Sequence, residues 1–174
     1  PRLPSYNRFV ELMAEVLNPL AAFMQSRCKK SRGIAFVDST ALRVCENIRI
    51  PCHKTFAGYA GRSKSSTGWF YGFKLHFTVN DCGDILSFCL TRGNVDDRTT
   101  VSILAKNWFG KLLGDKGYIS QKLTALLAQE YDVELITSIK KNMKSRVLAA
   151  FDKLILRKRS GRRTSGSPAA FLPA

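Results

Sequence analysis

Between Tyr6 and Leu20 the apolar residues Phe9, Leu12, Met13, Val16, Leu17 and Leu20 recur at intervals of three and four. That is the spacing of one face of an α-helix. Pro19 is expected to end or bend it. Gly33 then opens the almost continuous apolar run GIAFVDST. Such a run predicts a buried strand, flanked by helices and stopping at a polar tip. Residues 43–68 are polar, basic and rich in Gly and Ser, and read as a long irregular excursion with GYAGRSKSSTG as its flexible part. In WFYGFKLHFTVN, Phe73, Leu75, Phe77 and Val79 alternate onto one face, DCGD makes a turn, and ILSFCLTRG returns. The two segments form a hairpin.

Downstream the period lengthens. NVDDRTTVSILAKNW predicts a helix entered through Asp96 or Asp97 as N-cap. GKLLGDKGY predicts a short buried strand ending at Asp115, SQKLTALLAQEY a helix capped by Ser120, and VELITSI a last strand. SRVLAAFDKLILRKRS predicts a basic amphipathic helix. Three strands, two of them a hairpin, followed by two strands reached through helical crossovers, make an α/β arrangement. Its sheet is mixed, with about five strands.

With 174 residues, 45% of them hydrophobic, the chain suits one ordinary domain. It begins with Pro1 rather than Met, and residues 1–32 are expected to be the end of a longer N-terminal region. Residues 33–160 form the predicted α/β domain, and apolar periodicity stops after Ser160, leaving 161–174 as a non-native or disordered tail. No apolar run reaches the roughly 18–20 residues of a membrane span. Glu11 and Glu15 exclude a signal peptide at the start. No membrane partner is expected, and the compartment predicted is the cytoplasm.

The charge narrows the partner. The net charge is +15, from 28 Lys+Arg against 13 Asp+Glu. Such an excess favours a polyanion, nucleic acid above all, over a merely solubilising surface or a membrane-surface patch. The excess concentrates in Lys140, Lys141, Lys144, Arg146, Lys153, Arg157, Lys158, Arg159, Arg162 and Arg163, with Asp152 the one acid among them. The five cysteines, at 28, 45, 52, 82 and 89, form no CxxC pair, so a disulfide framework or zinc ribbon is not expected.

Candidate chemistry rests on two aspartates. Asp38 ends the first buried strand and Asp115 another. Ligands of α/β sheets bind where strands end. If the two strands are neighbours, the carboxylates repel each other unless a cation lies between them. Hard oxygen donors of this kind suit Mg²⁺ or Mn²⁺. On a basic protein such a pair points to metal-assisted phosphodiester chemistry. The alternative is that each aspartate caps a turn, Asp38 before Ser39-Thr40 and Asp115 before Lys116-Gly117.

FVDST, GWFYGFKLHFTVND, GNVDD and LLGDKGY, in that order over residues 5–160, resemble the DDE transposases of bacterial insertion sequences. The resemblance implies an RNase H-like catalytic domain in which Asp38 and Asp115 are the first two metal-binding aspartates. Two Mg²⁺ or Mn²⁺ ions would there activate a water or a 3′-hydroxyl for in-line attack on DNA. It further implies insertion-sequence ends and target DNA as partners, a possible homo-oligomer, and a nucleoid-associated bacterial setting. Asp97 belongs to the resembling pattern without being one of the acidic triad, and is read as a helix cap near the site. Another phosphoryl-transfer nuclease of similar fold is the remaining enzyme reading.

The same resemblance expects Arg, three residues, Glu, six residues, Lys on a helix after the last strand. Arg159 fits, but the Glu position holds Arg163 and the Lys position Ala170. The expectation is an inactive remnant, frameshifted or interrupted near residue 160, with a natural tail as the other origin. A non-catalytic DNA-binding fragment that interferes with an intact transposase is the second functional reading. For DNA contact the candidates are Lys54, Arg62, Lys64 and Lys74, with Lys140, Lys141, Lys144, Arg157, Lys158 and Arg159 of the basic helix. Trp69, Phe70 and Tyr71 either stack on bases or pack in the core.

Overall fold

A computed structural model describes residues 3–30, 32–65, 67–106, 109–138 and 152. Helix α1 (Tyr6–Arg27) starts at Ser5, whose hydroxyl accepts from the Arg8 N–H. The helix passes through Pro19 instead of ending there. The Leu-Ala-Ala-Phe-Met-Gln stretch behind it is made of residues that mostly favour helix and carries it on. Phe9, Val16, Leu20 and Phe23 stay at least half exposed.

The sheet is built from β1 (Ile34–Cys45), β2 (Gly61–Ser65), β3 (Gly68–Asn80), β4 (Ile85–Arg92), β5 (Gly110–Gly114) and β6 (Val133–Thr137). Helix α2 (Asp97–Leu104) precedes β5, and α3 (Gln121–Glu130) lies between β5 and β6. The strands run in the order β2-β3-β1-β5-β6, with β4 also paired to β3. β1, β2 and β4 pair with β3 antiparallel, whereas β5 is parallel to β1 and to β6. This mixed α/β sheet, with helices against it, is an RNase H-like fold.

Two sequence expectations change. Segment 43–68 is not an irregular excursion. It holds the end of β1, a 3-10 turn at Asn47–Cys52 and the edge strand β2, which raises the sheet to six strands. β2 reads Gly-Arg-Ser-Lys-Ser, with Arg62 and Lys64 exposed. A charged edge strand buries no apolar face, so it carries no alternation to detect. Second, β1 does not stop at Asp38. The ladder to β3 continues from Asp38↔Phe77 to Arg43↔Gly72, which makes Asp38 a mid-strand residue. β5 ends at Gly114 and β4 at Arg92, which pairs with Phe73, so past the level of Leu42 and Phe73 the sheet narrows to β1, β3 and β2.

The core lies under α2 and α3, where Ala35, Val37, Leu112, Val133 and Leu135 of the sheet meet Val101, Leu104, Leu123 and Leu127 of the helices. On β3 the side turned to this layer is the polar one. His76, Thr78 and Asn80 are at most 1% exposed, while Phe73, Leu75 and Phe77 are only partly buried. Cross-strand bonds reach two of these groups, though His76 Nδ1 has no hydrogen-bond partner. His76 Nε2 pairs with Thr91 Oγ1 at 2.8 Å, Thr78 Oγ1 with Ser87 Oγ at 2.6 Å, and Ser87 Oγ donates to the Leu104 carbonyl at 2.8 Å. On the opposite face Lys111 Nζ donates to the buried Asp152 at 2.8 Å, holding that helical residue against β5. The rest of the predicted basic helix lies outside the described residues.

At the strand starts Gly110 has φ +103°. A Cβ there would run into the Gly33 carbonyl oxygen, so glycine lets the β1 and β5 backbones begin side by side.

His76 gives a testable pH dependence. Burial lowers its pKa below the usual value, with Asp97 opposing and Lys74 assisting. The unfolded chain therefore binds a proton before the folded one, and stability falls as pH drops below about 6.5. Urea midpoints measured between pH 7.5 and about 5.5 should decline in the native chain and decline less in His76→Gln.

Candidate active site

The parallel pairing of β1 with β5 sets Ile34 against Lys111, Ala35 against Leu112 and Phe36 against Leu113. The register offset is 111 − 34 = 77, the same as 115 − 38. The ladder ends at Phe36↔Leu113, and the same offset carried two residues further runs from Asp38 to Asp115, the residue just after β5, with neighbouring strands about 4.8 Å apart. Both carboxylates also serve their own backbone. Asp38 Oδ1 accepts from Ser39 N at 3.0 Å, and Asp115 Oδ1 accepts from Gly117 N at 2.7 Å, closing the 3-10 turn Lys116–Tyr118. The turn-capping reading of Asp115 thus holds alongside the site reading. A carboxylate offers two oxygens and about four lone-pair positions, so one such bond leaves room for a ligand role.

Asp97 is a hub beside this pair. Asp96, not Asp97, is the N-cap of α2, its side chain bonded to the Arg98 N–H and guanidinium. Those bonds hold the Asp96 carboxyl down at about 2. Asp97 is left to accept from Ser39 Oγ at 2.9 Å and from Lys74 Nζ at 2.8 Å. Lys74 Nζ also donates to the Val95 carbonyl at 2.9 Å. One carboxylate so ties β1, β3 and the start of α2 together next to Asp38. Tyr118 is packed beneath, and its pKa is raised, first by burial and then by the nearby charges of Asp97, Asp38 and Asp115. Ser39 Oγ, already donating to Asp97, draws the Tyr118 hydroxyl only weakly, and their contact falls short of hydrogen-bond geometry.

A hard divalent cation suits the two carboxylates. Among the described residues, however, no group of three or more His, Cys, Asp or Glu gathers closely enough to complete a metal site. Positions 163 and 170 lie outside the described residues, as do Lys140, Lys141, Lys144, Arg157, Lys158 and Arg159. Of the other cations singled out in the sequence, Lys54, Arg62 and Lys64 are exposed, whereas Lys74 points to Asp97 with its side chain 17% exposed. Phe70 is core, and the Tyr71 hydroxyl donates to the Phe56 carbonyl at 3.2 Å. Trp69 is exposed beneath Arg62, whose guanidinium lies 5.1 Å from the ring centre.

A family model described as a transposase DDE domain matches residues 28–164. The chain belongs to this DDE transposase family. Curated proteins give no match. Among solved structures, the domain is similar to a piggyBac transposase in a synaptic complex with hairpin DNA, at 13% identity and a TM-score of 0.51. The match covers 82% of this chain and 31% of that one, so the transposase domain spans less than a third of that protein's length. No helix among the described residues is long and apolar enough to cross a membrane.

The Asp97 hub was missed as a hub because either of two consecutive aspartates can cap a helix. The pairing of Asp96 with Arg98 at i+2 was the available signal.

Asp97→Ala should destabilise the fold by about 2 kcal/mol, the scale of a lost charge-assisted hydrogen bond in a partly buried setting. Tyr118→Phe should change stability by less than about 0.5 kcal/mol, because the deleted hydroxyl has no well-formed bond to lose. Urea denaturation of the two variants checks both; equal losses would contradict the assignment of Asp97 as the hub.

Proposed function

We propose that this domain descends from, and retains the framework of, a bacterial insertion-sequence transposase that cuts and joins DNA. The observation that supports the reading is the β1–β5 register, whose offset of 77 residues is also that between Asp38 and Asp115, on a chain of net charge +15. Family membership supports the reaction class, and the DNA in the similar piggyBac structure supports DNA as the partner. Asp38 and Asp115 would hold Mg²⁺ or Mn²⁺, which in such sites lowers the pKa of a nucleophile and stabilises charge on the phosphate and leaving oxygen. This chain's own part is to hold the two carboxylates side by side and supply positive charge for the DNA backbone. Ser39, Lys74 and Asp97 brace the first carboxylate's strand.

The family resemblance calls for Glu at the position of Arg163, so on this reading the site is short of its third acid. A cation in place of that acid would oppose metal binding if the helix continues that far. Losing one stabiliser of transition-state charge typically costs about 10²–10³ in rate. The same substitution favours a second reading, a DNA-binding fragment that occupies ends or joins mixed oligomers with an intact transposase.

Nicking of supercoiled plasmid in Mg²⁺ or Mn²⁺ tests the proposal. The chain as it stands should give no detectable nicking. Arg163→Glu combined with Ala170→Lys should restore some, and adding Asp38→Asn or Asp115→Asn should abolish it again. Nicking by the unaltered chain that disappears in Asp38→Asn would show that the third carboxylate comes from elsewhere. A folded rebuilt chain that binds DNA and divalent ions yet never nicks would contradict the catalytic reading.

A further inference from the structure

β4 leaves β3 at the Phe73↔Arg92 pair, and past that level the sheet continues as a ribbon of β1, β3 and β2. From Arg43 to Tyr71 the sequence holds Arg43, Arg49, Lys54, Arg62 and Lys64 against a single acid, Glu46. The pairing register sorts these cations by face. Asp38 pairs with Phe77, and counting by twos along β3 leads to Phe73, Tyr71 and Trp69 on the same side. Arg62 pairs with Tyr71 and Lys64 with Trp69, so both cations share the face of Asp38. The segment carrying Lys54 packs over that face too, through the edge contact of Phe56 with Phe73 and of His53 with Tyr71. Lys74, by contrast, pairs with Ala41 on the other face and is held by Asp97.

We propose that this ribbon is a DNA arm, on which Arg62 and Lys64, with Lys54 beside them, bind backbone phosphates of the duplex whose scissile phosphate lies at Asp38 and Asp115. The inference rests on the transposase reading for the location of the scissile phosphate, and adds the surface that holds the flanking duplex. The spacing follows from strand geometry. Tyr71 and Trp69 lie six and eight residues along β3 from Phe77, or about 20–26 Å at roughly 3.3 Å per residue. At about 3.4 Å per nucleotide along one strand, the arm meets phosphates about six to eight nucleotides from the cut. Duplex rather than single strand is favoured because Arg62 already lies over the Trp69 ring, which takes one stacking face and fixes the guanidinium instead.

The test is binding of the full chain to a mixed-sequence duplex in EDTA, read as the slope of log affinity against log salt. Each phosphate contact contributes about 0.9 to that slope. Arg62→Ala with Lys64→Ala should lower it by about 2 and leave the urea transition in place. Lys29→Ala with Lys30→Ala removes the same charge from exposed positions beside Ile85, at the far end of the hairpin, and should change the slope by less than about 0.5. Ethylation of phosphates about six to eight nucleotides from any nick made by the rebuilt enzyme should interfere with binding. An unchanged slope in the arm variant, an equal fall in the control, failure of the chain to bind duplex, or preferred single-strand binding with Trp69→Ala the most damaging change would each overturn the proposal. Since binding is read without a divalent ion, absence of nicking would sink the catalytic reading and leave the arm standing.

Discussion

The parallel hydrogen bonds between Ile34–Phe36 of β1 and Lys111–Leu113 of β5 govern where everything else in this domain lies. They form between two apolar runs buried under α2 and α3, with Ala35 and Leu112 fully inside. Side chains alternate across a sheet, so a slip of one residue would send Asp38 to the opposite face from Asp115 and expose the core positions. Burial of Ala35, Val37 and Leu112 therefore fixes the register, and the register fixes the carboxylates. Gly110 permits the close start of the two strands that this register needs.

A second constraint acts at right angles to the strands. The layer beneath β3 is polar, and it pairs His76 Nε2 with Thr91, Thr78 with Ser87, and Lys74 with Asp97. Unmatched, each would cost about 1–3 kcal/mol on burial. Matched, they specify how α2 docks, and α2 brings Asp97 to Ser39, the residue after Asp38. The site is thus braced from its own strand, from its neighbour and from a helix start. Farther along, where β4 ends at Arg92, β1, β3 and β2 continue alone and carry Arg62 and Lys64 on the same face.

Much of this was legible in the sequence where burial imposes a period. The hairpin of β3 and β4, the helix capped by Ser120 and the strand at Val133–Thr137 all follow from alternation, turn residues and caps. The two aspartates were legible as a pair because each closes or follows an apolar run. What escaped was set by tertiary contact. β2 is charged and lies at an edge, so its pattern is that of a loop. β1 runs beyond Asp38 because β3 offers a partner to Ser39–Cys45, which no local feature announces. Alternation told which β3 residues share a face but not which face α2 covers, here the polar one with its cross-strand bonds. Lys74 reads as one more exposed cation until Asp97 is brought beside it.

The central claim is that Asp38 and Asp115 form one cation site. Mn²⁺ binding to the native chain, followed by electron paramagnetic resonance, tests it through a double-mutant cycle of Asp38→Asn and Asp115→Asn. A shared site predicts that either substitution removes most of the binding and that the double variant loses little more. Two independent, additive losses, or binding that survives both substitutions, would contradict the account.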